Sequence, residues 1–196
     1  MARTKDVKVR QCVSVMIDVA ATGRSPQSDH SKHEIKMPIT CLYTLNKKQT
    51  SFLQCPGLGS IPAFSGKDQY INDPAATAVA KKGPIPAGTY YIIDRQTGGR
   101  VPELEDAIHD VITNTHRREW FSLYSTTPPI GDYMNVKGVV RGNFRIHPVG
   151  RLGESDGCIT LTHPTQFEQL RTFLHSQKTE KIPGTELFYY GKVVVQ

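Results

Sequence analysis

Beyond Thr40 the chain alternates short apolar runs with clusters of Gly, Pro, Asn and Ser, the period-2 pattern of strands joined by turns. Cys41-Leu42-Tyr43-Thr44-Leu45 and Thr50-Ser51-Phe52-Leu53-Gln54 flank Asn46-Lys47-Lys48-Gln49, a spacing that predicts a hairpin. Gly57 to Gly66 is dense in Gly, Pro and Ser and reads as a loop. Lys82-Gly83-Pro84-Ile85-Pro86-Ala87-Gly88 reads as a turn that launches the β-branched and aromatic strand Thr89 to Asp94, closed by Thr97-Gly98-Gly99-Arg100. Trp120 to Tyr124, Val136 to Pro148 and Leu187 to Val195 are strand-like again.

Two stretches switch to helical spacing. Leu104, Ile108, Val111 and Ile112 recur at i, i+4, i+7 and i+8, one apolar face of a helix starting near Pro102. Phe167, Leu170 and Leu174 do the same after Thr162-His163-Pro164, where Pro suits a first helical turn. With no βαβ alternation, the pattern predicts a mainly β (α+β) fold, a sandwich or barrel with about two helices. Residues 1–40 stand apart: Gln11 to Val19 reads as a possible edge strand and Thr22 to Lys36 as a polar arm or linker. That leaves 41–196 as the main domain.

Composition narrows the class. At 196 residues the chain is long enough for one self-sufficient core, and 38% hydrophobic with 21% charged residues is ordinary for a folded domain. No apolar stretch approaches a membrane span. The net charge of +6 comes from scattered pairs such as Lys47-Lys48, Lys81-Lys82 and Arg117-Arg118, without a nucleic-acid motif. Those pairs read as solvated surface, compatible with an acidic polymer as substrate. Val13 to Ile17 is apolar but stops at Asp18, too short for the core of a cleaved signal peptide. Synthesis in the cytoplasm without such a leader is the expectation. Cys41 and Cys55 flank the predicted hairpin and are either bridged or buried as thiols.

The candidate chemistry lies between His147 and Cys158. Period-2 alternation in Asn143-Phe144-Arg145-Ile146-His147 puts Arg145 and His147 on one face, opposite Phe144 and Ile146. In Cys158-Ile159-Thr160-Leu161-Thr162 the same rule sets Cys158, Thr160 and Thr162 against Ile159 and Leu161. The loop from Pro148 to Glu154 returns the thiol beside the imidazole, the commonest way to make a usable thiolate near neutral pH. Cys158 is therefore the expected nucleophile and His147 its base, in a cysteine acyl-transfer site. Gly157 leaves bare backbone for a substrate carbonyl and its oxyanion, and Ser155 either orients the loop or bonds the imidazole. Asp156 binds a substrate ammonium or forms a turn. Arg145 and Arg141 are candidate carboxylate clamps, Arg141 with an exposed structural role as its equal alternative. Tyr133, with Tyr70 and Tyr90, is a candidate contact to substrate glycan or peptide. No cofactor is called for. A zinc site from His147, Cys158 and His163 lacks a fourth ligand, and His30 and His33 stand without cysteine or carboxylate partners.

His147 followed by Ser155-Asp156-Gly157-Cys158-Ile159 resembles the signature of YkuD-type L,D-transpeptidases, in particular their type VI secretion effector branch. Phe64-Ser65-Gly66, Tyr70-Ile71-Asn72-Asp73-Pro74, Gly83 to Tyr90 and Arg141 to Pro148 carry the same likeness. The resemblance implies a β-rich catalytic fold and peptidoglycan stem peptides as substrate. It implies a thioester on Cys158 and release of a terminal D-amino acid, completed by water (L,D-carboxypeptidase) or by another amine (L,D-transpeptidase). It also implies delivery by secretion machinery into the periplasm of a target bacterium, and a cognate immunity protein. The spacer after His147 is shorter than in the general family and Asp156 replaces its usual second histidine, which favours cleavage or exchange over cross-linking. A wall-binding module without turnover is the alternative.

Overall fold

The computed structural model describes residues 38–96 and 116–196. Its strands are β1 (Ile39–Tyr43), β2 (Ser51–Cys55), β3 (Gly59–Phe64), β4 (Gly88–Asp94), β5 (Phe121–Ser125) and β6 (Tyr133–Val136). They continue as β7 (Val139–Gly142), β8 (Arg145–Pro148), β9 (Ile159–Leu161), β10 (Glu180–Lys181), β11 (Phe188–Tyr189) and β12 (Gly191–Val195). Eight of them close into a barrel in the order β1-β12-β4-β5-β8-β9-β3-β2, with β2 pairing back to β1. Two contacts are parallel, β1 with β12 and β8 with β9; the other barrel pairs are antiparallel. The mainly β architecture matches the pattern of short alternating runs. The possible strand at Gln11 to Val19, the arm, His30, His33 and the helix marked by Leu104 to Ile112 lie outside the described residues.

Period-2 alternation fills the barrel. In β2, Ser51, Leu53 and Cys55 are buried while Phe52 and Gln54 face out. The β1–β2 hairpin forms as its sequence implies, and Cys41 and Cys55 are joined across it by a disulfide. In β4, Tyr90 and Ile92 point into the barrel core, whereas Tyr91 and Ile93 pack outward against Ile182 and Tyr189. A strand covered on both faces reads as a continuous apolar run, which is why Tyr90 to Ile93 shows no alternation.

Helix α1 (Pro164–His175) packs against β8 and β9 with Phe167, Leu170 and Leu174 buried, at the spacing read from sequence. Pro164 opens it, where a missing N–H costs nothing. Each fully buried side chain of this kind contributes roughly 1.5–3 kcal/mol.

Two expectations are corrected. Gly57 to Gly66 is not all loop, since β3 runs through Gly59–Phe64 with Ile61 and Ala63 facing the core. Pro62 masks the signal, yet its carbonyl accepts from Thr162 N–H, so its nitrogen faces the β9 side at the end of that ladder and no bond to β2 is lost. Val136 to Pro148 is three strands rather than one. Lys137 and Gly138, both with positive φ, turn β6 into β7, and Asn143 at φ 58° separates β7 from β8.

Candidate active site

The parallel pairing of β8 with β9 positions the chemistry. Ile146 pairs with Ile159 and His147 with Thr160, so residues in register face the same side. One step back in that register, Cys158 stands next to Arg145. Parallel neighbours need a crossover, and here it is the segment from Val149 to Cys158, which lines the cleft beside both groups. His147 and Cys158 open onto the same cleft, of about 310 Å3.

The imidazole is held from three directions. Its Nδ1 lies 2.8 Å from the Pro148 carbonyl, which can only accept, so Nδ1 carries the proton and Nε2 is the base. Thr160 Oγ1, fully buried, stands 3.3 Å from Nε2. Trp120 stacks on the ring with centroids 4.3 Å apart and planes at 19°. Burial lowers the imidazole to about 4, the Pro148 bond opposes that, and the positive Arg117 adds to the lowering.

The thiol sits against the turn before β8. Cys158 Sγ is 3.7 Å from the Asn143 carbonyl. Burial pushes the thiol up to about 11, while the backbone N–H and guanidinium of Arg145 favour the thiolate less strongly and Asp156 and Asp132 oppose it. Sulfur and imidazole are both neutral, and each is bonded to its own neighbour.

Other expected residues stand as follows. Ser155 is buried and ties the turn, donating to the Cys158 carbonyl at 2.8 Å and receiving Gly157 N–H at 3.3 Å. It orients the loop and does not bond the imidazole. Gly157, at φ 120°, turns its bare Cα inward: a Cβ there would lie 2.6 Å from Arg141 Nη2 and 3.0 Å from Phe144. Its side-chain-free face serves packing, and its N–H is engaged by Ser155, so it does not present open backbone to the cleft.

The two arginines expected to clamp substrate differ in placement. Arg141 is buried, its guanidinium spent on the carbonyls of Thr77, Gly83 (2.8 Å), Pro84 (3.4 Å) and Asp156 (3.5 Å). It is neither exposed nor at the cleft; it ties the 77–84 loop to the turn before Cys158. Arg145 makes a two-pronged pair with Asp132 at 2.6 and 2.7 Å. It still lines a second cleft that also includes Cys158, with Asn143 and Trp120.

Asp156 lines both clefts and pairs with Lys67 at 2.7 Å, and Glu154 joins at 3.4 Å. Tyr133 is 56% exposed on the β6–β7 hairpin and receives Asn143 Nδ2 at 2.9 Å, outside both clefts. Tyr90 lies in the core. Among the described residues no three His, Cys, Asp or Glu side chains gather to hold a metal ion, and no helix is long and apolar enough to cross a membrane.

No local pattern marks Trp120 or Lys67 as lining the cleft, or Asp132 as the partner of Arg145. Each reaches the site through pairing far along the chain, and only Thr160, two residues after Cys158, carried a local signal through its shared strand face.

Neither the curated proteins nor the solved structures contain a match to the chain. A family model, the Tlde1 domain, matches residues 59–185, about two thirds of the chain and a span that includes Lys67, Trp120, His147 and Cys158. The chain belongs to the Tlde1 domain family of type VI secretion effectors.

Proposed function

We propose that this effector is a cysteine acyltransferase acting on peptidoglycan stem peptides, an L,D-carboxypeptidase or L,D-amino-acid exchanger. The observation that carries the reading is the opening of Cys158 and His147 onto one cleft, with Nε2 left as the unprotonated nitrogen by the contact of Nδ1 with Pro148. Sγ of Cys158 attacks the carbonyl carbon before the terminal D-residue while its proton passes to Nε2 of His147. The C–N bond breaks, and that proton leaves on the departing amine, giving a thioester. Water or the amine of a second D-amino acid, deprotonated by His147, attacks the thioester; the C–S bond breaks and sulfur regains its proton.

The Cys41–Cys55 disulfide supports action in an oxidising compartment, for which the periplasm of a target bacterium is the natural candidate. In that setting the effector is a toxin to the target's wall, and its producer needs an immunity protein. The short, Asp-containing loop before Cys158 is the reason to favour cleavage or exchange over cross-linking.

Incubation of a purified tetrapeptide muropeptide with the protein tests the reading. Loss of the terminal D-alanine, or its replacement by an added D-amino acid, is expected, with an acyl adduct on Cys158 in the intact mass. Cys158→Ala abolishes both while retaining the fold. Tight binding with the muropeptide left intact, or full turnover by Cys158→Ala, overturns it.

A further inference from the structure

Lys67 lies on the segment after β3, remote in sequence from His147 and Cys158, yet it lines the cleft that both share. Two carboxylates hold it there, Asp156 at 2.7 Å and Glu154 at 3.4 Å. The side-chain exposures are unequal: 22% for Lys67 against 66% and 54% for the two acids. The Lys67 side chain is thus more covered than those of its partners, which stand open to water. Backbone geometry fixes the segment as well. Lys67 N–H donates to the Lys82 carbonyl at 2.9 Å, and buried Ser65, two residues earlier, donates to the Gly157 carbonyl at 3.1 Å. Lys67 is thereby tied to the same turn that presents the thiol. Its hydrogen bond to Asp156 also raises its pKa, so the ammonium stays charged through the working range.

The chemistry of the step says what such a cation meets. The leaving nitrogen must take a proton from His147, so the departing residue occupies the cleft that His147 lines. In a C-terminal amino acid the carboxylate carbon is two bonds from that nitrogen. A carboxylate so close to that nitrogen meets the cations that line the His147 cleft. Of these, Lys67 is the one held by two ion pairs to the loop before Cys158, whereas Arg151 is exposed and Arg117 lies over the Trp120 ring. We propose that Lys67 is the specificity-determining residue for a free α-carboxylate on the departing, or incoming, amino acid, exchanging Asp156 and Glu154 for the substrate carboxylate. This rests on the acyl-transfer reading above and adds to it a selection for chain ends: a peptide whose last residue is amidated or linked onward lacks the charge that Lys67 reads.

The test compares two purified substrates, a stem tetrapeptide ending in D-alanine and the same peptide ending in D-alaninamide. The wild-type protein is expected to prefer the carboxylate by roughly 10- to 100-fold in kcat/KM, the range for a charge-assisted hydrogen bond. In Lys67→Gln that preference collapses towards unity, whereas Lys67→Arg keeps most of it. Asp156→Asn with Glu154→Gln lowers KM for the carboxylate substrate, because the competing anions are gone. If Lys67 only latched the loop, both substrates would fall together in Lys67→Gln, and the paired acid variants would raise KM; either result overturns the inference. Equal wild-type rates on the two substrates, with the Cys158 adduct present, would also overturn it while leaving the acyl-transfer reading intact. No adduct and no product from either substrate would remove both.

Discussion

Because burial lifts the Cys158 thiol to about 11 and lowers the His147 imidazole to about 4, neither group is charged between those values. The two are a thiol and a neutral imidazole on one cleft rather than a preformed ion pair, and in the proposed reaction the thiolate is made during attack. Measured by its reactivity, the thiolate at pH 7 is on the order of one part in ten thousand. Alkylation of Cys158 by iodoacetamide should therefore rise about tenfold per pH unit from 7 to 10 without a plateau. A plateau reached near pH 7, read from adduct mass against time, would show the ion pair instead. Trp120 contributes by covering one face of the imidazole, and Pro148 by fixing which nitrogen holds the proton.

The turn before β9 is the element on which the site depends. Ser155 clamps it from within, Ser65 holds the Gly157 carbonyl, and Arg141 holds the Asp156 carbonyl while gathering the carbonyls of the 77–84 loop. Gly157 fits between Arg141 and Phe144 at a φ that a side chain resists. Gly157→Ala should cost about 1–3 kcal/mol in a urea titration and reduce turnover far more than the stability loss explains, since the thiol moves with the turn. Retained activity with wild-type stability would mean that the turn is not under this constraint. Much of this element was legible: the strand faces of Phe144 to His147 and of Ile159 to Leu161 follow from alternation. The commitment of Arg141 was not, because its partners are backbone carbonyls at 77–84, and carbonyl acceptors leave no trace in side-chain pattern.

At the scale of the whole molecule, the barrel is closed by the pairing of β1 with both β2 and β12, and the Cys41–Cys55 bond crosses that seam. Its ends are 14 residues apart, a loop whose closure constrains the unfolded chain by about 3 kcal/mol. Reduction, or Cys41→Ala with Cys55→Ala, should lower Tm by on the order of 10 °C, given about 2–4 °C per kcal/mol at this size. Thermal scans with and without reductant, against the double variant as a reductant-insensitive control, measure it. An unchanged Tm would remove the disulfide as support for an oxidising site of action.

Local pattern alone determined that the chain is mainly β, that a helix follows Pro164, and that His147 and Cys158 lie at the edges of strands facing the same way. Those are consequences of side-chain periodicity, which is written in neighbouring residues. Tertiary structure decided that β8 and β9 are parallel, that Gly59–Phe64 is a barrel strand despite its Gly and Pro, and that Arg141 and Arg145 spend their charge on the scaffold. It also brought Trp120 and Lys67 to the cleft. The reason is that each of these depends on which distant backbone supplies the pairing partner, and strand register and ion-pair choice are set by the closing of the barrel rather than by the residue's own neighbours.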